Sequence, residues 1–269
     1  MKTLIKHATV LTMNDRMETY PDGYVLVEDQ MIREAGAGEC RENCDTVIDA
    51  KGGIVMPGMV NTHCHVSMVP FRSMGDDCPD RLRRFLFPLE LEAMTPELVY
   101  TGARYGICEM LLSGVTTFAD MYYFEDMVAK ACEELGIRGY LGETVIDHET
   151  CDSKTPYGGL DYGETFIKNW KGHRLVTPMI APHGTSTNSP EMLQKACELA
   201  AAHDVPWTMH VSEMDYEMAH FRETYQQTPV EFLHSQGLLD ERLIAAHCIH
   251  LTERDMELMA ECGVKVSHC

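Results

Sequence analysis

The chain has 269 residues, 45% hydrophobic and 24% charged, with a formal net charge of −20. That length can bury one large core or two domains, and without a basic stripe to follow a phosphate backbone it argues against nucleic acid as a partner. Apolar runs are strand-length, far short of the ~20 residues of a spanning helix, which argues against a membrane partner.

Eleven cysteines without disulfide-scaffold density, and no sustained apolar stretch behind the first lysines, predict a reducing, cytoplasmic setting. An acidic exterior does little to recruit polyanions. The expected partner is a neutral or cationic small molecule.

Residues 1–53 read as the N-terminal part of a small β-sandwich domain, with strands around Leu4–Met13 and Gly23–Val27 separated by turns such as Pro21-Asp22-Gly23. From residue 54 the pattern changes to strands followed by helices. Strands are predicted near 54–62, 115–121, 139–146, 175–182, 206–212, 243–249 and 264–268. Helix starts are marked by Thr95-Pro96, Ser189-Pro190-Glu191 and Thr228-Pro229-Val230-Glu231, the last with the spacing of a capping box. Continuously apolar strands alternating with helices predict an α/β fold, a (β/α)8 TIM-type barrel with about seven strands present.

The strand ends collect imidazoles: His63, His65, His183, His210 and His247. Catalytic groups of such barrels sit at the carboxyl ends of strands, whereas an open doubly wound sheet gathers ligands at one switch point. His63 and His65 lie two residues apart on one strand and face the same way, while Cys64 between them faces the packing side. A single strand-end histidine is more often structural; five in register point to a metal centre. The remaining histidines, among them His148, His250 and His268, read as structural.

Residues 55–65, Val-Met-Pro-Gly-Met-Val-Asn-Thr-His-Cys-His, resemble the first-strand signature of the amidohydrolase superfamily. Gly114–Met121, Ala181-Pro182-His183-Gly184, His210-Val211-Ser212-Glu213 and Ala245–His250 are similar, in order, to its mononuclear-metal deaminase and chlorohydrolase branch. The similarity is nearest to methylthioadenosine/S-adenosylhomocysteine deaminase-like proteins, beside guanine deaminases and triazine hydrolases, and it spans the chain.

The resemblance implies a metal-dependent hydrolase acting on a C–N bond, with hydrolytic deamination of an aminoheterocycle (a purine, pterin or related nucleoside) by a metal-bound hydroxide. The alternatives are a chlorohydrolase or other amidohydrolase working on a triazine-like ring, and a non-catalytic metal-binding fragment. It further implies that His63, His65 and His210 hold one Zn²⁺ per subunit, with Fe²⁺ as the alternative, that Glu213 carries the proton, and that His247 orients the attacking water. His183 and Glu90 are implied to meet the substrate, with Glu92 a rival for Glu90.

Glu143 stands where S-adenosylhomocysteine deaminases are expected to carry an arginine, and it would favour an amino-bearing or neutral ring over an anionic tail. The fourth strand end offers no lysine to bridge two metals. The absence of any C-x-x-C excludes the other zinc-deaminase fold. The family's last metal ligand, an aspartate ending strand eight, has no counterpart before Cys269. The chain is therefore expected to be a C-terminally truncated one, with residues 54–269 forming a barrel that lacks its last strand, in a protein compatible with a homo-oligomer.

Overall fold

Alternating apolar residues of the first segment build a mixed sheet from β1 (Lys2–Leu11), β2 (Thr19–Glu28), β3 (Met31–Ala37) and β4 (Thr46–Asp49), in the order β3-β2-β1-β4. A short β5 (Ile54–Val55) pairs in parallel with Thr9 and Val10 of β1. Ala8, Val10 and Val25 form the buried centre of this unit. The computed structural model describes residues 1–269, and their contacts divide them into Met1–Met59 and Val60–Cys269.

The second unit alternates β6 (Met59–Cys64), β7 (Val115–Tyr122), β8 (Arg138–Val145), β9 (Val176–Pro182), β10 (Trp207–Val211), β11 (Leu243–His247) and β12 (Lys265–His268) with helices. The helices are α1 (Phe87–Ala93), α2 (Pro96–Leu112), α3 (Glu125–Leu135), α4 (Gly159–Trp170), α5 (Pro190–His203), α6 (Asp215–Tyr225), α7 (Pro229–Ser235) and α8 (Glu253–Glu261). Strands β6 to β12 neighbour one another in sequence order in one seven-stranded parallel sheet. This is an incomplete (β/α)8 barrel. Its two outer strands approach each other through the Thr62 and Ser267 hydroxyls, 2.6 Å apart.

Burial on both faces explains the apolar strands: β9 and β10 are almost wholly buried, and Trp207, Met209 and Ile180 pack with Leu193 and Leu233 from the helices. The start signals fall where expected. Thr95, Ser189 and Thr228 each accept a backbone N–H of the first turn, and Thr228 with Glu231 completes the capping box. A second capping box, Thr252 with Asp255, carries an aspartate where the usual pattern has Glu or Gln.

The first barrel strand differs from expectation. The apolar run from 54 breaks at Pro57-Gly58, and Ile54–Val55 joins the first sheet while Met59–Cys64 starts the barrel. Proline offers no N–H to a ladder, so one strand cannot run through it. No helix is long and apolar enough to cross a membrane.

Beyond β6 the chain turns through a 3₁₀ segment, Val66–Phe71, which lies against α2. The contact depends on Gly102, where a Cβ would press on the Ser67 carbonyl inside van der Waals distance. Alanine normally gains about 1 kcal/mol over glycine within a helix. Here the overlap dominates, and Gly102→Ala is expected to destabilise the protein by about 1–3 kcal/mol in urea denaturation; a stabilised variant would contradict this packing.

Candidate metal centre

Four imidazoles from three strands meet at the carboxyl edge of the barrel. His63 and His65 come from β6, His210 from β10 and His247 from the end of β11. The His63 ring centroid lies 5.1 Å from that of His65, 5.0 Å from His210 and 5.0 Å from His247. Nitrogens of His63, His210 and His247 all lie within 4.8 Å of one another. The tightest trio thus contains His247, not His65, although the His65 ring is only 5.4 Å from that of His210.

Burial sets the protonation of this group. It pushes His63 down to about 3, with the neighbouring His65 and His247 adding to the effect. It pushes His210 well below the ordinary histidine range, reinforced by His183 and His65. His65 and His247 are lowered by burial as well. Neutral imidazole keeps a lone pair free for a cation.

The donor set fits a metal. His65 donates its Nδ1–H to the Met121 carbonyl at 2.6 Å, which leaves Nε2 as the free donor atom. His210 Nδ1 is buried with no hydrogen-bond partner in the protein. Such an orphaned nitrogen is costly to bury unless something binds it. The cluster supports a bound metal ion.

Beside the histidines is a cavity of about 280 Å³ lined by His65, Met121, Tyr122, Thr144, His183, His210, Glu213 and His247, together with Glu90 and Phe87. Glu213 Oε2 is 3.6 Å from His247 Nε2, and burial, then the charge of Glu217, raises the Glu213 carboxyl above its usual range. Glu90 is buried and accepts the Tyr122 hydroxyl at 2.8 Å. Burial lifts its carboxyl to about 7 against the opposing effect of that hydroxyl. Glu92 is exposed and does not line the cavity. His183 is also pushed to about 3 by burial first and by His65 next, and its Nδ1 meets the Thr187 hydroxyl at 3.0 Å.

Glu143 is not brought into the cavity; Thr144, the next residue, takes that place. Glu143 is fully buried with its β-carbon facing Gly163 of α4, and it accepts the Glu125 N–H at 3.0 Å. Burial, followed by the negative charge of Asp152, holds its carboxyl well above the normal range. Its expected contact with substrate is corrected on this ground: a strand buried on both faces gives no polar alternation to show which side faces the mouth.

Three supporting residues carried no strong sequence signal. Asp120 accepts the Val66 N–H at 2.7 Å and so holds the backbone just past His65. Tyr122 holds Glu90, and Glu217 holds Glu213. Only the spacing of Glu217, four residues after Glu213 at a helix start, offered a clue. Cys64 packs on the side away from the imidazoles and meets Asp120 at 3.3 Å.

Residues 54–269 match the amidohydrolase family. The chain belongs to that family. Among its relatives are a 5-methylthioadenosine/S-adenosylhomocysteine deaminase of Aquifex aeolicus (strain VF5), 40% identical over 247 residues that cover 91% of this chain and 57% of that protein. A 5′-deoxyadenosine deaminase of Methanosarcina mazei is 38% identical over 269 residues, 98% of this chain and 61% of the relative. An adenosine deaminase from Xanthomonas campestris, solved with bound zinc, superposes with a TM-score of 0.94 at 29% identity, covering 99% of this chain and 62% of that one. The chain therefore spans about three fifths of the length of these family members.

His210 belongs to both the expected and the tightest trio, so His210→Ala is expected to abolish stoichiometric metal measured by plasma emission. His65→Ala and His247→Ala separate the two: the ligand loses the ion, whereas the neighbour keeps it. Full metal in His210→Ala would contradict the site.

Proposed function

We propose that this chain carries the centre of a metal-dependent hydrolase that deaminates an aminoheterocycle, a purine, pterin or related nucleoside. The carrying observation is the juxtaposition of neutral strand-end imidazoles with Glu213 beside a cavity. Deaminase relatives at 38–40% identity support the same reading.

In this reading His63, His65 and His210 hold one ion, Zn²⁺ in preference to Fe²⁺, in keeping with imidazole donors and the zinc-bound Xanthomonas neighbour. A divalent ion held there supplies Lewis acidity that brings the pKa of water toward ~7. Glu213 takes one proton from the attacking water and gives it to a ring nitrogen as the oxygen adds to the amine-bearing carbon; it then takes the second proton of that oxygen and gives it to the amine, so that the C–N bond breaks and ammonia leaves. The raised Glu213 carboxyl suits a group that must both accept and give a proton near neutrality.

His247, in reach of Glu213, orients the water and faces the developing charge. Glu90 and Tyr122 accept or donate at a polar edge of the substrate, and His183, whose ring is 4.7 Å from that of His210, faces the substrate from the cavity wall. Apolar Met68, Leu86 and Phe87 leave room for a flat ring and exclude water. A small-molecule substrate in a cytoplasmic, homo-oligomeric enzyme completes the proposal.

A panel of aminopurines, adenosine derivatives and pterins is expected to yield ammonia with the metal-loaded protein. Glu213→Gln should lower kcat by about 10²–10⁴-fold while metal is retained. Chloride release from a halogenated triazine without ammonia from any panel member would overturn the deaminase reading.

A further inference from the structure

The side chain of Glu217 is buried, 5% exposed, yet it does not line the cavity. Its Oε1 accepts the Thr185 hydroxyl at 2.5 Å and the Ser212 N–H at 3.0 Å; its Oε2 accepts the Glu213 N–H at 2.9 Å. All three partners are neutral donors. Burying a carboxylate is costly, and charge-assisted hydrogen bonds to backbone N–H groups are what offset it.

These bonds do not serve the helix on which Glu217 stands. Helix α6 begins after Met214, which makes no side-chain cap, and the N–H groups taken by Glu217 belong to residues before it. They belong instead to the segment that carries Glu213 out of β10. Ser212 in that segment has φ +50°, a left-handed conformation that costs a non-glycine residue of order 1–3 kcal/mol and persists only where its surroundings enforce it.

The enforcement is visible. The Ser212 carbonyl accepts the Ile249 and His250 N–H groups at 3.0 Å each, and the Val211 carbonyl accepts the Cys248 N–H at 3.0 Å. Glu217 supplies the other half by holding the N–H side of the same turn, and through Thr185 it fastens that turn to the loop after β9. The ends of three strands, those carrying His183, His210 and His247, are thereby locked around one carboxylate.

Given the deaminase reading above, we infer that Glu217 is a positioning residue: it fixes the backbone of Ser212 and Glu213 so that the Glu213 carboxylate points to the cavity beside His247. It touches neither substrate nor ion. Its effect belongs to kcat, because misplacing a proton carrier by about 1 Å can cost on the order of 10²-fold in rate.

Glu217→Gln tests this in the metal-loaded full chain. Whichever way the amide turns, one backbone N–H then faces an NH₂ donor. The variant is expected to lose about 10- to 100-fold in kcat with KM changed less than about threefold and metal content unchanged. Thr185→Val, which removes only the hydroxyl, should show a smaller loss of the same kind, and Thr185→Ser should recover wild-type turnover. Amide hydrogen exchange supplies a readout free of turnover: protection at Ser212 and Glu213 should fall in Glu217→Gln while β10 stays protected.

Wild-type kcat in Glu217→Gln, or unchanged exchange at Ser212 and Glu213, overturns the inference. Joint loss of metal and global protection in Glu217→Gln, with Thr185→Val indistinguishable from wild type, overturns it in favour of a purely structural role. A wild-type chain inert toward every aminoheterocycle would instead sink the deaminase reading, and hydrogen exchange would still decide the tether.

Discussion

Burial of several imidazoles at one edge of a parallel sheet is the constraint on which the rest depends. Parallel strands end on the same side, so side chains at their carboxyl ends must share one small volume. Crowding four or five histidines there is tolerable only if they stay uncharged, and burial enforces this by holding His63 and His183 at about 3 and His210 well below its ordinary range. The same neutrality turns a crowded ring of bases into a cation site. An orphaned nitrogen on His210 and the donated Nδ1–H of His65 show the rings already oriented by the protein.

Behind the rings is a layer of buried carboxyl groups that holds the loops in place. Glu125 is kept well above the normal carboxyl range by burial and by the neighbouring Asp120, which accepts the Val66 N–H at 2.7 Å. Glu143 and Asp152 form a comparable pair at the start of α3, where Asp152 accepts the Phe124 N–H and Glu143 that of Glu125. Two positive-φ residues at the site, Ser212 and His247, show the backbone bent to meet the chemistry. Removing such groups would act first on geometry and only then on turnover.

Much of this was legible in the sequence because local signals agreed with the fold. Thr95, Ser189 and Thr228 announced their helices through capping chemistry that is decided within four residues, and strand-end histidines followed from the alternation. What escaped depends on three-dimensional neighbours. The break at Pro57-Gly58 separates two sheets inside one apolar run. Glu90 was named from the resemblance with Glu92 as its rival, and it is Glu90 that lines the cavity while Glu92 is exposed. Glu143 and Thr144 are adjacent on a strand buried on both sides, so hydropathy could not tell the mouth from the helix layer. His247, which stands in the tightest trio, has φ +70°, a conformation that no spacing reveals.

On the proposed reading, the histidines of β6 and β10, Glu213 just beyond β10 and the apolar side chains that follow β6 converge at one edge of the incomplete barrel. X-ray absorption at the zinc edge of the loaded chain tests that convergence most directly. The account predicts a coordination shell dominated by imidazole nitrogens at ~2.0–2.1 Å. A shell of sulfur at ~2.3 Å, or of oxygen alone, would mean that the strand-end histidines do not hold the ion.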